Sequence, residues 1–180
     1  MIRKHIPVQV LTHNEEFALE KVEFSLETNP SNNKPYKGLW TCDFQENVED
    51  VGWINWNLNW FKSYIKSNLY HLVPKNEKFK IYEISSLDDL TDIPYIEIYE
   101  ERVFDYKKLK EEGYDGLHIT QRGANLGHRY DGSVPFEVVN MMNGFDCEST
   151  VWFNTDWIEE VKCVDPDFKS TFAKLASVND

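Results

Sequence analysis

The chain has 180 residues, 41% of them hydrophobic and 14% aromatic, with a formal net charge of −12 and a pI near 4.8. That length suits one domain with a sizeable core, and the composition excludes a disordered chain. A field this negative opposes non-specific binding to a phosphate backbone, and no apolar run reaches the roughly 18 residues of a membrane span.

The first five residues carry two cations, Arg3 and Lys4, but no apolar stretch follows, so a signal peptide is not expected. Cys42, Cys147 and Cys163 are far apart and form no CxxC, which argues against a zinc site or a disulfide framework and for a reducing, cytoplasmic setting. The acidic runs at 46–50, 88–92 and 97–101 read as solvated faces. Docking of a basic partner, or mimicry of nucleic acid, is the alternative reading of the same charge.

In chain order, residues 8–13 predict a strand that starts after Pro7. Residues 15–26 are ambiguous between a short helix and a bent strand, and the Asn/Pro/Ser chemistry of 29–35 predicts a loop. Residues 37–42 predict a second strand. Between 52 and 68, Trp53, Trp56, Trp60 and Tyr64 recur every three or four residues, which predicts a helix with these rings packed on one face. A strand is expected at 78–84, then a helix at 105–112 ended by Gly113. Tyr114-Asp115-Gly116 turns into a strand at 117–120, and the glycine-rich, polar 121–132 reads as an exposed loop. A buried strand at 150–153, a second apolar segment at 161–164 and a terminal helix at 167–176 complete the chain. With no repeat, linker or regular βαβ alternation, one α+β domain over 1–180 is expected.

Glu148 is the first candidate for chemistry, because a carboxylate at the mouth of a buried strand is costly unless it is paired or used. Asp146 lies two positions away, so an extended segment would put both carboxylates on one side, as a glycoside- or nucleotide-hydrolysing enzyme requires. The segment Lys37-Gly38-Leu39-Trp40-Thr41 combines a cation, a glycine, a ring able to stack and a hydroxyl able to hydrogen-bond. A core tryptophan beside an ordinary strand threonine explains it equally simply. His13 ends the first strand, and the five histidines show no metal-ligand spacing, so no metal is expected. Arg122 and Arg129 flank a flexible loop that reads as a solvated hairpin or as a phosphate clamp. No G-x-S-x-G, P-loop or G-x-G-x-x-G is present.

Taken in order, Val10-Leu11-Thr12-His13, Gly38-Leu39-Trp40-Thr41 followed by an aromatic helix, and Glu148 ahead of Val151-Trp152-Phe153 and Ile158 resemble the ADP-ribosyltransferase superfamily, in its histidine–aromatic–glutamate branch. Tyr114-Asp115-Gly116 is similar to a strand common in bacterial and phage members. The resemblance covers about residues 8–164. It implies split, antiparallel β-sheets around a central cleft with flanking helices, and NAD bound there as substrate. It also implies that His13 holds a ribose, Trp40 stacks on nicotinamide, Thr41 supports it and Glu148 is the catalytic carboxylate. Lys34, Lys37 or Arg122 would neutralise the pyrophosphate, with Gly38 opening the second strand.

The chain departs from that pattern in three places, the first being Trp40, which stands where a tyrosine or phenylalanine is more common. Asn14 and Glu15 stand where a glycine and a hydroxyl usually follow the histidine. Glu148 lies five residues before Phe153 where four is common, and one residue flips the face of a strand, which makes Ser149 a rival for the position. The expected activity is transfer of ADP-ribose to an acceptor, or its transfer to water. The competing expectation is a non-enzymatic acidic protein, an inhibitor or anti-defence factor.

Overall fold

The computed structural model describes all residues except 1, 4, 62–64, 76, 77, 128–131, 179 and 180. Along the chain the elements are β1 (Ile2–Arg3), β2 (Gln9–His13), β3 (Ser25–Asn29), β4 (Lys34–Lys37), β5 (Leu39–Asp43), α1 (Gly52–Trp60), β6 (Asn68–Pro74), β7 (Ile81–Ile84) and α2 (Leu87–Asp92). There follow β8 (Tyr95–Ile98), β9 (Glu101–Phe104), α3 (Tyr106–Glu111), β10 (Gly116–Ile119), α4 (Gln121–Ala124), α5 (Phe136–Asn140), β11 (Ser149–Trp152), β12 (Ile158–Asp165) and α6 (Phe168–Val178). The class is α+β, as the sequence predicts.

Eight strands form a single sheet in the order β1-β7-β10-β11-β5-β2-β6-β12, and β3–β4 and β8–β9 are separate hairpins. Neighbours in the sheet are antiparallel except β7 and β10. In place of separate sheets there is one, with β5 shared between two halves and β2 joined to it at only Gln9↔Asp43 and Val10↔Cys42.

Side-chain alternation divides the sheet into two faces. The register Arg3↔Ile81, Gly116↔Ile81, Gly116↔Trp152 and Trp152↔Leu39 carries one face from β1 across to Leu39, Thr41 and Asp43. Four strand spacings of about 4.8 Å would separate β1 from β5 in a flat sheet. The Arg3 guanidinium nevertheless meets the Asp43 carboxylate at 2.6 and 3.3 Å. The sheet is therefore curled, and that face is the concave one.

Three hydrophobic clusters follow from this geometry. Leu39, Tyr70, Leu72, Ile81, Trp152 and Ile158 fill the concave face with Trp157, whose ring stacks on Trp152 at 3.9 Å. On the convex face, Tyr82, Ile84, Leu117, Ile119 and Val151 are covered by residues of α2 to α5. Val10, Cys42 and Leu69 are covered by Ile54 and Leu58 of α1 and by Phe168 and Phe172 of α6.

Several sequence expectations change. The tryptophans of α1 do not form its packed face, because Gly52, Ile54, Asn57 and Leu58 are the buried residues and Trp60 is 74% exposed. Val51, Ile54 and Leu58 already fill the space beneath the helix, so Trp53 and a half-buried Trp56 stack on each other at its flank, with ring centroids 5.0 Å apart. Tyr64 lies outside the described residues. The expected loop at 121–132 begins as α4, capped by Thr120, whose hydroxyl accepts from the Gly123 amide at 3.0 Å. Gly123 packs so closely that a Cβ there would clash with the Ile84 carbonyl oxygen. His128 and Arg129 lie outside the described residues. Residues 15–26 contain a 3₁₀ turn, Leu19–Lys21, and the start of β3, and of the loop expected at 29–35 only 30–33 form the turn, since Asn29 ends β3 and Lys34 and Pro35 open β4.

Candidate functional site

On the convex side, between the two helical layers, lies a cavity of about 340 Å³. Trp40, Val10, Cys42 and Ser149 reach it from the sheet, Trp53 from α1, and Gly144 to Cys147 from the loop before β11. Register explains the grouping: Val151 pairs with Trp40 and Val10 with Cys42, so these side chains share the convex face. The walls are mainly apolar, and Lys34, Lys66, Asp146, Thr12 and Ser149 supply the polar groups, a composition typical of small-molecule sites.

Gly144 is what brings the two sides of the cavity together. Its φ of +89° suits glycine, and a Cβ there would lie 2.8 Å from the Asn32 carbonyl oxygen. The loop before β11 can thus lie against the β3–β4 turn, which sets Phe145 beside Trp40, with centroids 5.9 Å apart, and beside Lys34. The Lys34 Nζ is 5.4 Å from both ring centroids. Burial among these rings lowers its pKa, and the charge of Asp146 opposes that shift.

Glu148 is not among the residues that line this cavity. One of its carboxylate oxygens lies 3.6 Å from His118 Nδ1, and the register His118↔Thr150↔Thr41 puts His118 on the concave face. The Asp43 amide donates to both Glu148 oxygens, at 3.2 and 3.3 Å. A Cβ on Gly52 would meet the Glu148 carbonyl oxygen at 2.6 Å and its Oε2 at 2.9 Å, so glycine at the start of α1 makes room for this residue. Burial, reinforced by the Asp43 charge, pushes the Glu148 pKa up to about 8. Burial likewise pushes His118 down to about 4. Both shifts disfavour the charged form, and burial is the first cause of each.

Around this pair runs a hydrogen-bonded chain across the concave face. Trp152 Nε1 donates to Thr41 Oγ1 at 2.8 Å, and the Thr41 hydroxyl donates to Gln9 Oε1 at 2.6 Å. Gln9 Nε2 donates to Asp43 Oδ1 at 2.7 Å, and Arg3 holds the same carboxylate. Asp43, His118 and Glu148 each offer a donor atom within 4.8 Å of the others, the arrangement of a three-ligand metal site. Arg3 already supplies the positive charge that Asp43 needs, and Thr150 Oγ1 lies 2.8 Å from His118 Nδ1, so the cluster is satisfied by the chain's own groups.

The remaining predicted site residues scatter. Trp40 and Lys34 meet in the cavity. Thr41 forms part of its wall, but its hydroxyl is used on the concave side. His13 is exposed at the end of β2, with Nδ1 3.1 Å from the Glu15 carbonyl oxygen and its ring edge-on to Phe17. Lys37 is ion-paired with Glu23 on the surface. At Gly38 a Cβ would make only ordinary contacts, at 3.5 Å and beyond. Burial raises both Cys42 and Cys147, the latter to about 12, so neither thiol is ionised near neutral pH. Sequence reasoning missed Gly144 and Phe145, whose signal was a glycine directly before the aromatic–carboxylate pair. It also missed the Arg3–Gln9–Asp43 chain, which has no local signal at all.

No protein-family model matches this chain, and no curated protein and no solved structure shows significant similarity to it.

Proposed function

We propose that the cavity binds the nicotinamide end of NAD and cleaves its N-glycosidic bond, releasing ADP-ribose to an acceptor or to water. The observation that supports this reading is the meeting of Trp40, Trp53 and Phe145 with the Asp146 carboxylate and the Ser149 hydroxyl around one cavity. Stacking on Trp40 would hold the planar ring in a leaving geometry, since aromatic pairs favour offset or edge contacts at 4.5–7 Å. The bond breaks through an oxocarbenium-like state on the ribose, which a nearby carboxylate stabilises. In this reading Asp146 takes that part, because it lines the cavity and Glu148 does not. Ser149 and Thr12 offer hydroxyls to the ribose, and Lys66 at the exposed rim meets the pyrophosphate, whose charge an acidic protein must balance locally.

The test is nicotinamide release from NAD by the full chain, with and without cell lysate as acceptor source. Asp146→Asn is expected to lower release by a factor of about 10² or more, and Glu148→Gln to leave the rate within about threefold. Loss of activity in Glu148→Gln with full activity in Asp146→Asn would return the catalytic role to Glu148. Absence of release under every condition would reject NAD cleavage.

A further inference from the structure

We infer that the cavity is a site for planar aromatic carboxylates, with the Lys34 ammonium as the partner of the anion. Lys34 lines the cavity, is half-buried, and has its Nζ 5.4 Å from the ring centroids of both Trp40 and Phe145. Contact with ring faces favours the charged form of the amine, and so does the nearby Asp146 carboxylate. A ring face attracts the cation as a whole, whereas an ammonium has three N–H donors, each suited to an oxygen acceptor. Among the described residues no oxygen accepts a hydrogen bond from Nζ and no carboxylate is ion-paired with it. Lys37, Lys80, Lys107, Lys110 and Lys162 each have such a partner.

The charge of the wall is opposite to that of the chain. Lys34 and Lys66 line the cavity with Asp146 as the one carboxylate beside them, in a chain of net charge −12. Asp146 is exposed, so water and salt screen it, while the half-buried Lys34 is less screened. A partly desolvated cation without an acceptor is costly. A ligand carboxylate meets it with charge-assisted hydrogen bonds, which a neutral ligand of the same shape does not supply. The rest of the wall selects the body of the ligand. Trp40 and Phe145 lie 5.9 Å apart, centroid to centroid, and leave no space for a ring between them. The ligand's ring therefore packs against Val10, Leu11 and Trp53, with its carboxylate turned to Nζ. Contact with the Trp53 indole favours a planar ring over a puckered one. The inference does not rest on NAD cleavage, since it requires binding alone.

Isothermal titration of the full chain at neutral pH compares nicotinate with nicotinamide, two ring ligands of one shape that differ in charge. Nicotinate is expected to bind at least about tenfold more tightly. Benzoate is expected to bind at least about threefold more tightly than cyclohexanecarboxylate, which keeps the carboxylate and loses the planar ring. Lys34→Met, its fold checked by circular dichroism, is expected to erase the preference for nicotinate. Lys107→Met, which removes a surface ion pair with Glu27, is expected to keep it. Nicotinate bound no more tightly than nicotinamide, benzoate no more tightly than cyclohexanecarboxylate, or a preference for nicotinate that survives in folded Lys34→Met overturns the proposal. The first two comparisons are read on the wild-type chain, so an unstable variant does not obscure them. Nicotinamide release from NAD can be absent while nicotinate binds, or present while it does not, and the two readings therefore fail separately.

Discussion

Glu148 Oε1 and His118 Nδ1 lie 3.6 Å apart on the concave face of the curled sheet, while Trp40 points to the convex face and its cavity. The separation arises at β11, where Thr150 pairs with Thr41 and Val151 with Trp40. Neighbouring residues of one strand thus serve a buried polar network on one side and a ligand-sized space on the other.

This pair makes stability depend on pH in a defined direction. Glu148 binds its proton more tightly when folded, with a pKa of about 8 against 4.5. It therefore contributes a loss of stability as pH rises from about 4.5 to about 8. His118 is depressed to about 4 from 6.5, and contributes a gain as pH rises over that interval. The two contributions oppose each other up to pH 6.5, and above it only Glu148 acts. Unfolding free energy should fall by about 2 kcal/mol between pH 6.5 and 8. Denaturant titrations across that window should show the decline in the wild type and its absence in Glu148→Gln.

Arg3 holds the curl closed by its two-pronged contact with Asp43, both side chains being mostly buried. Arg3→Met keeps the stem but leaves the Asp43 carboxylate with Gln9 alone as a side-chain donor among the described residues, at a cost of about 2–3 kcal/mol. Adding Asp43→Asn should recover part of that loss, because the unpaired charge is then gone. A double variant as unstable as the sum of the single ones would show that the pair does not act as a unit.

Thr41→Val separates structure from binding. Its hydroxyl accepts from Trp152 and donates to Gln9, so the substitution orphans two buried polar groups and should destabilise by about 1–3 kcal/mol. Affinity for a ligand in the cavity should stay unchanged. A calorimetric titration showing weaker binding at unaltered Tm would assign the hydroxyl to the ligand instead.

At Gly144, alanine meets both a positive φ and the Asn32 carbonyl oxygen at 2.8 Å. Gly144→Ala should lower stability by about 1–3 kcal/mol and shift Phe145 away from Trp40. Thermal unfolding measures the first effect. Near-ultraviolet circular dichroism, sensitive to the Trp40–Phe145 contact, reports the second.

Trp40→Leu removes the stacking ring and keeps an apolar wall. Binding of NAD should weaken by about tenfold, the equivalent of one aromatic contact. His13→Ala should leave it unaltered, since His13 is exposed and does not line the cavity. Isothermal titration of both variants separates the two outcomes.

The sequence by itself determined the element types that local chemistry controls. Gly113 ends α3 with a φ of +82° after an Asp105 cap, and the strands at 8–13, 37–42, 78–84 and 150–153 contain β2, most of β5, β7 and most of β11. The same local chemistry made Trp40 and Asp146 visible as groups able to stack and to carry charge. The sequence did not determine which face each residue would serve, because alternation along a strand has two settings and register with distant strands selects one. The α1 tryptophans lie off the helix's packed face because Ile54 and Leu58 fill it, a choice periodicity alone does not make. Only the curl of the sheet joined Arg3 to Asp43, and only the close approach at Gly144 brought Phe145 and Asp146 to Lys34. Contacts between segments roughly 40 and 110 residues apart carry no signature in either segment, and they decided that the cavity would hold Asp146 while Glu148 turned inward to His118.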